Sequence, residues 1–339
     1  MKKIILFCIS LSLLIVSLAM LEQKKTYFIE QPKKNIEIEE QPLRLPKISN
    51  ECPSYLDYEE IIVQLKNWES QAVDFVKVFS YGKSSEGTDL YCAVVTNTKS
   101  KENKEKVLIT ACIHGNEPWS TGTVVAFMGY LLKNYETDKE IQKTLNTKEI
   151  YIVPVVSPDS YPSSRYVDGI DPNRNFPRDE NSKKQSIKPL RDLQKLFLDI
   201  KPKVAISGHT FGRSFLYPYA DTNEVCENDE EYKAILKKMQ ELSGYSFLKT
   251  SKNYGYPIYG TEIDWYYRNG CFSLVVEFGT HQIKPTLEQI KNELNKTKSS
   301  LLYFINEGSK VIVKKSTSDE DFKVEKSNSL NVNLLETGP

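Results

Sequence analysis

The sequence predicts an α/β fold, a single-domain three-layer sandwich in which a mixed, twisted sheet carries helices on both faces. Three observations predict it. Short apolar runs rich in β-branched residues alternate with longer segments of helical periodicity. Two of those runs end abruptly in histidine and a third in glutamate, as expected of strands whose carboxyl ends open into a crevice. The 339 residues, 40% of them hydrophobic, are enough for a large core, and no internal repeat is evident.

Taken in order, Met1-Lys2-Lys3 precedes seventeen uncharged residues, Ile4 to Met20, with Ser17-Leu18-Ala19 as a small-x-small exit. Residues 1–19 therefore read as a signal peptide, with an uncleaved N-terminal anchor as the rival. Both imply export: periplasmic, secreted or membrane-anchored through this segment alone. Cys8 lies inside the apolar run rather than just after it, which disfavours a lipoprotein. Residues 20–50 are polar and Pro-containing, a linker or pro-segment, and the main domain is expected over 51–308.

Within that domain Tyr58, Ile61, Ile62 and Leu65 predict a helix over 57–69. Residues 73–81 and 89–98 alternate like strands, joined by the turn Gly82-Lys-Ser-Ser-Glu-Gly87. A strand at 107–113 is followed by helices at 117–133 and 138–145, a strand at 148–157 and a long loop to about 186. Leu193, Leu196 and Phe197 predict a helix over 192–200, and a strand follows at 203–209. Helices at 228–243 and 262–268 lead to a buried strand at 271–277, and Leu287, Ile290, Leu294, Leu301 and Ile305 mark a last helix over 285–306. Residues 309–339 are polar, and disorder is expected there.

Lys and Arg total 45, as do Asp and Glu, and the zero net charge with no basic block excludes nucleic acid as a favoured partner. Beyond the leader lie Cys52, Cys92, Cys112, Cys226 and Cys271, an odd count without zinc-finger spacing that leaves room for one bridge.

Chemistry concentrates where the strands end. His114 and Glu117 follow the 107–113 run, and Pro118 suits the opening of a helix. The bland reading is a turn-capping histidine and a glutamate favoured by the helix dipole. Scarcity argues otherwise: of only three histidines, His209 repeats the arrangement at the end of Lys203-Val-Ala-Ile-Ser-Gly. Two histidines and a glutamate make a set that holds catalytic zinc, with the fourth position left to water. Glu277 closes an apolar strand, where desolvating a carboxylate costs several kcal/mol unless compensated. His281, four residues on, reads as a loop histidine.

The His-x-x-Glu pair with a distant strand-end histidine resembles the zinc metallocarboxypeptidases of the carboxypeptidase A type, in an exported bacterial form. The resemblance implies one Zn2+ per chain held by His114, Glu117 and His209, with the 91 intervening residues accommodated by loop insertion. The string Arg165-Tyr-Val-Asp168-Gly-Ile-Asp171-Pro-Asn173-Arg174-Asn-Phe-Pro177 resembles the family's Asn-Arg-Asn-Phe motif. It implies Asn173 and Arg174 as the grip on a terminal carboxylate, Asp171 as acceptor for the His114 ring N–H, and Arg165 facing the developing oxyanion, with Arg178 and Arg213 as alternatives. Glu277 takes the place of the general base. Ile263-Asp264-Trp265 after a Tyr/Gly-rich loop is likewise a family feature. Counting back from it puts Tyr256 at the tyrosine that closes over substrate, with Tyr259 as alternative, and makes Ile263 the residue that selects the terminal side chain.

The expected function is a zinc carboxypeptidase for peptides with apolar or aromatic C-terminal residues; if the register slipped, Glu262 or Asp264 would line the pocket instead. Rival readings are an amidase or carboxypeptidase acting on peptidoglycan stem peptides, a metal-free peptide-binding relative, and an N-acyl amino acid deacylase.

Overall fold

The computed structural model describes residues 57–178, 186–281 and 284–314, all within the larger of two compact units, Arg44–Pro339. The expected leader, linker and C-terminal tail from 315 lie outside the described residues.

Asp57 caps the first helix among the described residues, α1 (Tyr58–Gln71), which buries Ile61, Ile62, Leu65 and Trp68. Strands β1 (Val76–Lys83) and β2 (Asp89–Val95) pair antiparallel. Strand β3 (Glu105–Ala111) stops two residues short of the expected end, because Cys112 adopts φ 51° and breaks the extended run. His114 therefore sits in a turn beyond the strand. Helix α2 (Pro118–Asn134) opens on a proline, and most of its residues are buried on every side, which explains its weak polar face.

Helix α3 (Lys139–Thr147) runs into β4 (Lys148–Val153), which ends before Pro154 rather than at 157. The long loop holds two 3₁₀ turns, Pro158–Ser160 and Pro172–Arg174. Helix α4 (Lys188–Ile200) starts four residues before the expected 192, with Pro189 in its first turn. Then come β5 (Val204–Thr210), β6 (Ser214–Tyr217), α5 (Asp229–Ser243), β7 (Ser246–Lys249), α6 (Thr250–Tyr254), α7 (Glu262–Arg268), β8 (Phe272–Phe278) and α8 (Leu287–Gly308). The two short strands and α6 were not expected.

The sheet order is β1-β2-β4-β3-β5-β8-β6-β7, parallel through β4, β3, β5 and β8, and mixed overall. Side chains alternate between its faces. On β8, Phe272 stacks on Phe304 of α8 and Phe278 lies against β5 near α2, whereas Val275 packs on Ile263 of α7. Ser207 of β5 likewise reaches Glu262 at the start of α7. The face carrying Ser207, His209, Val275 and Glu277 thus meets α7, and near α4 it is sealed by Phe197, Trp265 and Tyr266. In the parallel pair β5–β8, His209 lies directly opposite Glu277.

Candidate metal centre

Glu117 is the N-cap residue of α2, but its side chain makes no capping bond. It turns instead towards the strand ends, where Oε1 lies 2.8 Å from His114 Nδ1 and Oε2 lies 2.9 Å from His209 Nδ1. The Thr210 amide also donates to Oε2, at 3.2 Å. One donor atom from each of His114, Glu117 and His209 falls within 4.8 Å of the others, and all three residues are buried.

The outer ring nitrogens are held in matching fashion. His114 Nε2 lies 3.0 Å from Asp171 Oδ1, and His209 Nε2 lies 3.1 Å from Glu262 Oε1. Each ring thus has a carboxylate on both nitrogens, Glu117 inside and Asp171 or Glu262 outside; with a cation at the centre the outer carboxylates would take the ring protons and the Nδ1 lone pairs would face the ion.

Burial alone would raise Glu117, but the imidazoles of His209 and His114 outweigh it and hold the carboxyl at about 2. His209 shows the same field from the other side: burial would lower it, yet Glu117, Glu262 and Glu277 raise it well above the ordinary histidine value. An environment that so favours positive charge suits a cation. The donor set of two imidazoles and one carboxylate fits zinc with an open position.

Around this cluster lies a cavity of about 280 Å³. Arg165 reaches it, with Nε 2.9 Å from Asp171 Oδ2 and a guanidinium nitrogen 3.7 Å from Glu117. Neither alternative arginine lines it. Arg213 pairs with buried Glu293 at 2.9 Å, and Arg178 lies over the Tyr259 ring and beside Asp221. Asn173 and Arg174 line the cavity; Asn173 Oδ1 accepts from the Glu262 amide at 2.8 Å, which anchors its amide group. The Nδ2 atom lies 3.2 Å from His209 Nε2, and the Asn173 NH2, with two N–H donors, keeps at least one for a ligand.

Glu277 is 6% exposed; its Oε2 has no hydrogen-bond partner in the described structure, and its Oε1 accepts from Tyr254 at 3.3 Å. Burial, with the charge of Glu117 adding to it, pushes the carboxyl up to about 7 against the opposing pull of the histidines.

Ile263 lines the cavity with Leu216, Val275 and Ile258. Its neighbours turn elsewhere: Glu262 towards His209, and Asp264 onto the amides of Ala220 and Asp221. The slipped register, with either carboxylate in the pocket, is not the one adopted.

The tyrosine that lines the cavity is not one assigned from the sequence. Tyr256 and Tyr259 are 62% and 50% exposed, and neither lines the cavity. Tyr254 does. It ends α6, and Gly255 at φ 74° then turns the chain away, so the residues that follow are carried outward. Counting back from Ile-Asp-Trp could not register that helix. Glu262 also went unassigned to the centre, because a carboxylate in a helix's first turn has an adequate local explanation in the dipole. His281 packs against Trp119 and does not line the cavity. Cys92, Cys112, Cys226 and Cys271 are buried free thiols, and Cys52 lies outside the described residues.

Known proteins share this architecture. The structure superposes on thrombin activatable fibrinolysis inhibitor with a TM-score of 0.69 at 20% identity, covering 78% of each chain. For carboxypeptidase A from Helicoverpa armigera the TM-score is 0.64 at 15% identity, over 76% of this chain and 74% of that one. At such identities the likeness concerns the fold. In sequence, mouse (Mus musculus) carboxypeptidase A2 is 24% identical over 284 residues, 70% of this chain and 67% of the relative. Carboxypeptidase D of Drosophila melanogaster is 27% identical over 299 residues, 75% of this chain, but the match spans only 21% of that longer protein. The family model described as zinc carboxypeptidase matches residues 61–300, most of the chain, and this span holds the His-Glu-His cluster, both arginines of the cavity and Glu277. The chain belongs to the zinc carboxypeptidase family.

Proposed function

We propose that this protein is an exported zinc metallocarboxypeptidase that removes large apolar or aromatic residues from peptide C-termini. The observation that carries this reading is the apolar pocket of Leu216, Ile258, Ile263 and Val275 beside Arg174 and the partly unpaired carboxylate of Glu277. Export is inferred from the apolar leader Ile4 to Met20; no helix among the described residues is long and apolar enough to cross a membrane.

The Arg174 guanidinium and the Asn173 NH2 receive the substrate's terminal carboxylate, a two-pronged match that also fixes which bond is presented. The terminal side chain enters the pocket, where a leucine or phenylalanine gains about 1.5–3 kcal/mol on leaving water. A lysine, arginine or diaminopimelate side chain finds no counter-charge among these four residues, and burying its charge is costly. His114, Glu117 and His209 would hold zinc, which would supply Lewis-acid activation of the attacking water and the scissile carbonyl. Glu277 takes a proton from the attacking water through its unpaired Oε2, then passes it to the leaving amine nitrogen. Arg165 presents its guanidinium to the oxygen that gains charge in the transition state, an interaction that lowers the barrier more than it tightens binding.

Two measurements test this. The zinc content of the wild type should be about one per chain and fall in His114→Ala and His209→Ala; near-stoichiometric metal in either variant sinks the ligand assignment. Ranking kcat/KM on blocked dipeptides ending in Phe, Leu, Lys, Arg, Glu and diaminopimelate should place Phe and Leu first. A Lys or Arg substrate ahead of Phe would refute the apolar pocket, and a strong diaminopimelate preference would move the enzyme to the cell wall.

A further inference from the structure

Glu262 is a carboxylate with no exposed surface, in the first turn of α7. Burying it demands compensation. Its Oε2 accepts from Thr110 at 3.2 Å and Tyr266 at 3.3 Å, and its Oε1 accepts from the Ser207 hydroxyl and lies 3.1 Å from His209 Nε2. Hydroxyls alone would satisfy a neutral glutamine nearly as well. The imidazole is different, because its outer N–H needs an acceptor and its inner nitrogen faces Glu117 at 2.9 Å. His114 has the same arrangement, between Glu117 on one side and Asp171 on the other.

We propose that Glu262 is a positioning residue for the metal centre: it accepts the Nε2–H of His209 and so fixes the tautomer that offers Nδ1 to zinc. Both histidine ligands are then backed by carboxylates, Asp171 for His114 and Glu262 for His209. The pair also divides the labour structurally. Asp171 sits on the substrate-facing loop beside Arg165, whereas Glu262 is locked between β3, β5 and α7. Glu262 therefore holds its histidine independently of whether substrate is bound. The same residue ties Asn173 in place through its backbone amide, so the ring and the substrate grip share one anchor.

This rests on His114, Glu117 and His209 being the zinc ligands, and the experiment separates the two ideas. Zinc affinity is measured by competition with a chromophoric chelator in wild type, Glu262→Gln, Glu262→Ala and Tyr266→Phe, with the unfolding of each chelator-treated protein as a folding control. A wild type that takes up no zinc overturns the ligand set itself. Given stoichiometric wild-type binding, Glu262→Gln and Glu262→Ala are expected to bind zinc about 10- to 100-fold more weakly, with the alanine variant the weaker. Tyr266→Phe, which removes a different partner of the same carboxylate, should retain wild-type affinity. Affinity of a folded Glu262→Gln within twofold of wild type overturns the proposal, as does an equal loss in Tyr266→Phe. A readout on the unmodified protein stands apart from the variants: imidazole NMR of the zinc-loaded wild type should show the His209 Nε2–H far downfield and slow to exchange. A rapidly exchanging signal at an ordinary position overturns the proposal even should every Glu262 variant fail to fold.

Discussion

Glu277 carries the sharpest conflict between burial and charge in the cavity, and its chemistry follows from that conflict. A carboxyl pushed up to about 7 is a far better proton acceptor than one at the ordinary value of 4.5, yet it is still ionised at neutral pH in part. Replacing it by glutamine keeps shape and burial and removes the proposed proton shuttle. Glu277→Gln should retain stoichiometric zinc and lose roughly 10²–10⁴-fold or more in kcat/KM; activity within tenfold of wild type would exclude Glu277 as the base. The pH dependence has a definite sign. The base works ionised, so kcat/KM should fall as pH drops through its value, and a zinc cation nearby can only pull that value below about 7. An acid limb with its midpoint clearly above 7 on an uncharged-side-chain substrate would contradict this. Such residues were legible because a charge closing an apolar strand, or a rare histidine repeated at two strand ends, conflicts with packing. Tyr254 and Glu262 were not, since a linear pattern does not tell which way a side chain leaves the first or last turn of a helix.

Among the elements, those long enough to show a period were read within a few residues, and α8, with apolar residues spaced over 285–306, is the clearest. Strands β6 and β7 have four residues each and α6 has five, too short for alternation or a helical stripe to emerge; their existence depends on pairing with β8 and with each other. The loop before α7 shows how an element delivers the site. Gly260 has φ 75°, and a Cβ there would lie 2.6 Å from the Arg174 carbonyl oxygen, while its own carbonyl accepts from the Phe176 amide at 3.0 Å. The close approach presses the Arg174 backbone against the loop that leads into α7. Gly260→Ala should therefore destabilise the protein by more than about 1 kcal/mol and raise KM more than it lowers kcat, because the displaced backbone belongs to the proposed carboxylate grip. Denaturant unfolding with steady-state kinetics checks both; a variant with unchanged KM would show that Arg174 tolerates the shift.

For the molecule as a whole, stability should depend on pH through Asp264, which is buried against the backbone of Ala220 and Asp221. Burial and the charge of Asp221 raise it from an ordinary 3.8 to about 7, against the amides of Ala220 and Asp221 and the Arg268 guanidinium. A raised folded-state value means the folded protein holds its proton longer than the unfolded chain. This contribution is therefore complete below about 3.8 and is lost as pH rises to about 7, by an amount on the order of a few kcal/mol at most. Asp264→Asn should flatten the decline between pH 4 and 7 seen in chemical denaturation; an unchanged slope would assign that decline to other groups. The facing of His209 and Glu277 on adjacent parallel strands has a different kind of consequence. Neighbouring strands are about 4.8 Å apart whatever their sequence, so the backbone spacing between the proposed zinc ligand and the proposed base is a lattice constant of the sheet. It admits only discrete jumps, and a slip of one residue would throw either group to the opposite face. Substitutions in the loops and the pocket floor can by contrast shift a contact by fractions of an ångström, because no ladder register ties those side chains together.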